Sequence, residues 1–258
     1  MTDFAEKYGP WGVVTGAGAG VGLAYTEELI SRGVRVVMVD ISPGVVEVAA
    51  SLGGKTRTVI SDVSDPGWVH VLTEQTAGLE IGIAVANAGI SYVLPFLDMD
   101  AEMRRKTLDI NCRATVDLAS WALPAMVERG RGGFVVTSSG SALAGTACVG
   151  LYSATKAFSI NLIEAIGWEL KDSGVDTLAI VAPSMDTPAL RSSNPDHDRM
   201  GGPPVDPRTV VAPALDALGE GGRWLADDGL KFAASVERSE RVAMMGSATA
   251  AMYHLFED

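Results

Sequence analysis

Up to about residue 185 the chain alternates short Val-rich runs with longer segments whose apolar residues recur at helical spacing, and few folds accommodate that alternation. A strand, a crossover helix and a second strand of the same direction form the unit such a sequence builds. Stacking those units gives a parallel sheet with helices on both faces. Runs at 11–15, 34–39, 56–61, 81–86, 133–138 and 177–182 are predicted as strands. Each reads as a continuous apolar run, as strands covered on both faces require. Two long helices are predicted as well. One spans 101–128, with Leu108, Cys112, Val116, Ala119 and Leu123 on its apolar stripe; the other spans 152–171, with Phe158, Leu162, Ile166 and Leu170. The expected fold class is α/β, a doubly wound parallel sheet in three αβα layers. No repeat, low-complexity tract or linker divides the chain, so residues 1–258 are read as a single domain.

Two segments leave this pattern. Residues 184–207 hold Pro188, Pro195, Pro203, Pro204 and Pro207 with Gly201 and Gly202, poor material for either regular element, and are predicted as a long lid-like loop. Residues 232–258 form an atypical C-terminal tail, of which 242–256 reads as a packed helix or arm.

Composition narrows the function. With 258 residues, 47% of them hydrophobic and 20% charged, the chain can bury a sizeable core, which excludes disorder as its dominant state. Lys and Arg number 20 against 32 Asp and Glu, a net charge of −12, the wrong sign for holding a polyphosphate backbone. Nucleic acid is not an expected partner. Two cysteines, Cys112 and Cys148, are too few for a disulfide framework, and His70, His197 and His254 spell no metal-ligand cluster. The N-terminal Met1-Thr2-Asp3-Phe4-Ala5-Glu6-Lys7 has neither the basic flank nor the apolar core of a secretory signal, and no apolar run of about 18 residues offers a membrane span. A reduced, cytoplasmic protein is expected.

After the first predicted strand comes Thr15-Gly16-Ala17-Gly18-Ala19-Gly20-Val21-Gly22, leading into a segment with Leu23, Leu29 and Ile30. Glycines there let the backbone turn sharply and approach a pyrophosphate, while the helix start offers unpaired N–H groups and a partial positive charge. A tight strand-to-helix turn with no ligand would use the same residues. The second predicted strand, however, runs into Asp40, 18 residues after Gly22, where an acid that reads a ribose belongs. A carboxylate there accepts both ribose hydroxyls of NAD and repels a 2′-phosphate; Ile41-Ser42-Pro43 supplies no cation to offset the repulsion. NAD is favoured over NADP as cofactor.

Further residues complete a set. Asn87-Ala88-Gly89, Asn111, Ser139 and Tyr152-Ser153-Ala154-Thr155-Lys156 follow Thr15-Gly16-x-x-x-Gly20-x-Gly22 in order, with Ser139 13 residues before Tyr152. From about residue 11 to 190 the chain resembles the single-domain short-chain dehydrogenase/reductases, whose sheet is of the Rossmann type. Alcohol oxidation needs a base within hydrogen-bond reach of the hydroxyl. A tyrosine, with a reference pKa of about 10, serves only if a neighbouring ammonium lowers it. Tyr152 and Lys156, at i and i+4, project from one helical face. The resemblance implies that Tyr152 is the general acid/base, that Lys156 also holds the nicotinamide ribose, that Ser139 orients the substrate oxygen and that Asn111 holds a water in a proton path. It further implies cofactor contacts at Gly16, Gly18, Ala19, Gly20, Val21, Gly22, Asp40, Ile41, Asp62, Val63, Asn87, Ala88, Gly89, Pro183, Ser184 and Thr187.

The family usually has Pro-Gly after its sixth strand, whereas this chain reads Pro183-Ser184-Met185-Asp186-Thr187. Residues 223–229 match the family's last strand only loosely. Cys148 reads as a small packing residue, and Met185, Leu190 and Met200, with Leu143 and Val149, suggest an apolar substrate or ordinary lid packing. The expectation is an oxidoreductase passing hydride between NAD and a secondary alcohol or ketone, assembled as a homodimer or homotetramer through its long helices as relatives commonly are. Two other readings stay open: a dinucleotide-binding sensor or scaffold without turnover, and a reductase of the same fold acting on a C=C or C=N bond.

Overall fold

The computed structural model describes residues 4–200 and 202–255. Helix α1 (Phe4–Tyr8) leads into β1 (Trp11–Thr15), and α2 (Gly20–Ser31), β2 (Arg35–Asp40), α3 (Val45–Ser51), β3 (Thr56–Ile60), α4 (Trp68–Gln75) and β4 (Ile81–Ala86) follow in strict alternation. Then come α5 (Ala101–Leu108), α6 (Ala114–Arg129), β5 (Gly132–Ser139), α7 (Gly150–Glu169) and β6 (Val175–Ala182). The C-terminal part adds α8 (Pro188–Ser192), α9 (Pro207–Asp216), β7 (Arg223–Leu225), α10 (Asp228–Ser235) and α11 (Arg238–Met252).

The strands form one parallel sheet in the order β3-β2-β1-β4-β5-β6-β7. Successive side chains of a strand point to opposite faces, so Val13 and Val14 enter different cores. Val13 joins Val37, Ala84 and Phe134 beneath Leu118 and Met126 of α6 and Ile163 of α7. Val14 joins Val36, Ile83 and Val135 beneath Tyr25 and Leu29 of α2 and Val211 and Leu215 of α9. These are the three layers that the alternation predicts. Strand order reverses between β1 and β4, and in such sheets the crevice beyond the strand ends at that point is where ligands bind.

Four sequence expectations need correction. The predicted third strand is not covered on both faces: β3 lies at the sheet edge, and of its five residues only Val59 is buried. The single helix expected over 101–128 is interrupted by a π-helical turn at Asp109–Arg113 between α5 and α6. Residues 184–207 are not wholly irregular, because Pro188 suits the first turn of α8, Thr187 caps that helix, and a parallel bridge joins Met185 to Val205. Residues 223–225, only loosely patterned, are a true strand that pairs Ile180 with Trp224 and Val181 with Leu225. Phe256, where the predicted C-terminal helix ends, and Gly201 of the predicted lid lie outside the described residues.

Candidate active site

The glycine turn begins where β1 ends. Gly16 and Gly20 take φ of +65° and +54°, a region that side chains rarely adopt. A Cβ on Gly22 would meet the Gly16 carbonyl oxygen at 1.9 Å, so the turn closes on itself only without one. Ala19 is the cap residue of α2 and its side chain caps nothing; no acid stands in the first turn. The helix therefore presents open N–H groups and positive potential, with Ala19, Gly20 and Val21 lining a cleft of about 1030 Å³.

The turn is stitched to β4 by polar side chains. Thr15 Oγ1 accepts from the Asn87 and Ala88 amides at 3.0 and 3.1 Å. Asn87 donates its amide to the Thr15 carbonyl at 3.0 Å and accepts from Thr137 at 3.1 Å. Its side chain is thus occupied in holding two strand ends together. At the far end of the turn, Asp40 accepts from the Gly18 amide at 2.8 Å and from the Ser42 amide at 2.9 Å. Ile41 beside it is 60% exposed. Asp62 accepts from the amide and hydroxyl of Ser64, at 2.8 and 2.7 Å. Burial works to raise its carboxyl, but those bonds with the Lys106 and Arg113 charges hold it below its ordinary range. Val63 is buried in the core.

β5 and α7 deliver the catalytic candidates. Ser139 ends β5, and its oxygen accepts from the Ser141 amide and hydroxyl at 3.2 and 3.1 Å. Tyr152 and Lys156 stand one turn apart on α7, with Lys156 Nζ 5.6 Å from the centre of the Tyr152 ring. That ammonium is buried and donates to the Thr137 carbonyl at 2.7 Å. Burial lowers it to about 8, while the Cys112 thiol opposes the fall. Tyr152 does not show the lowering that the Tyr–Lys spacing suggests. Burial pushes its phenol up, the Ser139 hydrogen bond pulls it down, and the Tyr253 phenol adds to the rise. Desolvation is the largest influence on the phenol and outweighs the Ser139 hydrogen bond.

Asn111 sits in the π-helical turn, not in a regular helix. Its side chain clamps the Ile90 backbone, accepting from the amide at 2.9 Å and donating to the carbonyl at 2.9 Å, and also donates to Thr155 at 3.0 Å. Such turns recur at functional sites because they re-aim a side chain and free a carbonyl. Here the Asn111 carbonyl accepts from Thr115 at 3.2 Å.

The cleft gathers Gly16, Ala19, Gly20, Val21, Asn87, Ala88, Gly89, Ser139, Tyr152, Lys156, Pro183, Ser184 and Thr187. Gly18, Gly22, Asp40, Ile41, Asp62, Val63 and Asn111 stand outside its lining. Thr187 faces the start of α2, its Cγ2 3.1 Å from where a Gly20 Cβ would lie. The sequence reading missed the opposite wall, built by Leu230 and Ala233 of α10 and by Met245, Thr249, Met252 and Tyr253 of the tail. It also assigned no role to Thr15 and Thr155, although each stood inside a motif that it quoted.

Residues 11–198 match the family model of short chain dehydrogenases. The very-long-chain 3-oxoacyl-CoA reductase of Homo sapiens is 31% identical over 220 residues, covering 82% of this chain and 69% of that protein. The inactive hydroxysteroid dehydrogenase-like protein 1 of Homo sapiens is 30% identical over 199 residues, covering 72% and 60%. Among solved structures, a 7beta-hydroxysteroid dehydrogenase superposes with a TM-score of 0.82 at 26% identity, covering 95% of this chain and all of that one (100%). A 3-ketoacyl-(acyl-carrier-protein) reductase from Brucella melitensis, complexed with NADH, shares the fold with a TM-score of 0.80 at 22% identity, covering 86% and 98%. The chain belongs to the short-chain dehydrogenase/reductase family of oxidoreductases.

Proposed function

We propose that the protein interconverts an apolar secondary alcohol and its ketone with NAD(H). The observation that carries this reading is the convergence of Ser139, Tyr152 and Lys156 in the cleft that the open N-terminus of α2 also lines. The residues present fit a dinucleotide: the uncapped helix start suits its pyrophosphate and Asp40 its adenosine ribose, with Lys156 and Thr187 toward the nicotinamide. When bound, the nicotinamide supplies or accepts the hydride.

The chain's own groups handle the proton. In the reduction direction Tyr152, held neutral by burial, donates its phenol proton to the carbonyl oxygen, which Ser139 orients by a hydrogen bond. Lys156 keeps its charge below about pH 8 and steadies the phenolate left behind. Asn111, by clamping Ile90, fixes the backbone beside the cleft along which a proton path to solvent would run. In oxidation the same groups act in reverse.

Asp40 supports NAD over NADP, since a 2′-phosphate would meet a carboxylate and Ile41-Ser42-Pro43 supplies no cation. Similar structures hold NADH in one case and NADP in another, so this preference rests on Asp40 alone. Leu143, Val149, Met185, Leu190 and Met200 line the cleft and support an apolar substrate. A homodimer or homotetramer in the cytoplasm completes the proposal. Apolar side chains of α6 and α7 line an open groove, and both cysteines are free thiols, which suits a reducing compartment.

The test follows nicotinamide absorbance with NADH and, separately, NADPH over a panel of apolar ketones, using wild type and Tyr152→Phe together. NADH-dependent turnover that falls by at least about a hundredfold in the variant is expected. Turnover retained by the variant would overturn the role of Tyr152. Tight NADH binding with no ketone reduced would favour a sensor, a reading kept open by the relative named as inactive.

A further inference from the structure

The C-terminal tail carries a phenol into a wall built by Met245, Thr249 and Met252. Tyr253 follows α11 and lines the cleft among Met245, Met252 and Leu190. Its backbone is held from both sides: the Met252 carbonyl accepts from the Asp196 amide at 2.8 Å, and His254 Nε2 lies 2.9 Å from the Asp196 carboxylate. The phenol oxygen lies 3.0 Å from Ser193 Oγ. Ser193 has a single hydroxyl proton, which it donates to the Leu190 carbonyl at 2.7 Å. With that proton on the carbonyl, the bond between the hydroxyls runs from Tyr253 to Ser193. The Tyr253 oxygen is then left with lone pairs and no proton to offer.

We propose that Tyr253 is a substrate-positioning residue that accepts a hydrogen bond from a hydroxyl on the substrate, away from the reacting carbon. The preferred substrate class is then an apolar ketone or alcohol bearing a second hydroxyl, not a plain hydrocarbon ketone. An acceptor with no proton to offer fixes orientation, because a substrate seated the wrong way leaves it unpaired. Tyr253 and Tyr152 line the same cleft, and the Tyr253 phenol adds to the rise of the Tyr152 phenol. The proposal rests on the alcohol–ketone reading above.

The test uses the full chain loaded with NADH and three kinds of probe: decan-2-one, decan-2-ones carrying one hydroxyl at successive positions along the chain, and the matching methyl ethers, which accept but cannot donate. Wild type is expected to prefer one hydroxyketone over decan-2-one and over its ether. In Tyr253→Phe the hydroxyketone-to-ketone ratio of kcat/KM should fall about five- to tenfold, the worth of one hydrogen bond. In Ser193→Ala the phenol proton is released, and the ether-to-hydroxyketone ratio should rise. Equal losses on all three probes would mark Tyr253 as a mere tie between tail and α8 and would overturn the proposal, as would a wild type indifferent to the hydroxyl. Calorimetric binding of the same probes separates the two readings. A Tyr253-dependent preference in binding with no turnover overturns the reaction and keeps the positioning role; turnover with no preference does the opposite.

Discussion

Lys156 shows what burial costs a single residue. Its amine titrates near 8 in the fold against an ordinary value of 10.5. The unfolded chain therefore binds the extra proton between those values, and folding stability from this group rises with pH across that window; below pH 8 both states are charged and the penalty is fully present. Lys156→Met removes the penalty. Relative to that variant, wild type should gain on the order of 3 kcal/mol between pH 7 and pH 10.5, read from urea unfolding at both values. A flat difference would mean the ammonium stays solvated. On the proposed reading, the charge of Asp40 selects the cofactor. Asp40→Ala should raise the NADPH-to-NADH ratio of kcat/KM on the order of tenfold by lifting the repulsion of a 2′-phosphate, a change that initial rates with each cofactor would read. An unchanged ratio would show that cofactor choice lies elsewhere.

At the scale of elements, turns decide more than helices do. The β1–α2 turn has no room for a Cβ at Gly22, whereas a Cβ on Gly150 at the start of α7 meets nothing within 4 Å. Gly22→Ala should lose the cooperative unfolding transition or shift it by several degrees downward, and Gly150→Ala should gain about 0.4–1 kcal/mol through lost unfolded-state entropy. Thermal melts of the two variants check the contrast, and a neutral Gly22→Ala would mean that the turn can open. The π-helical turn at Asp109–Arg113 was not legible from the apolar stripe. Leu108, Cys112, Val116 and Ala119 keep helical spacing through it, and the distinction arises from how Asn111 reaches Ile90 on another segment. α8 was hidden for a related reason: five residues set among prolines carry no period, and the helix forms because Thr187 caps it with Oγ1 accepting from the Leu190 amide at 3.1 Å.

At the scale of the molecule, both faces of the sheet are covered, yet α6 and α7 keep apolar surface outside. Val116, Leu123, Val127, Leu162, Ile166 and Leu170 line one groove, and Trp168 nearby is 72% exposed. Burial of such a stripe against a second copy would drive assembly. Light scattering of wild type should report a multiple of the chain mass. Leu123→Arg with Leu162→Arg should reduce that mass to a single chain, and a wild type already running as one chain would overturn the assembly.

Layer count and the glycine turn were open to reading because each depends on local properties: periodicity, β-branched runs and residues without a Cβ. Ser139, Tyr152 and Lys156 were legible for the same reason, two of them one turn apart on a helix and the third at a strand end. By itself the sequence determined the class of fold and the chemistry grouped at its crevice. Only the tertiary structure decided that Asn87 and Asn111 clamp backbone, that burial raises Tyr152, and that Tyr253 reaches the cleft from residues far along the chain. Those outcomes depend on desolvation and on contacts between distant segments, which no spacing along the chain encodes.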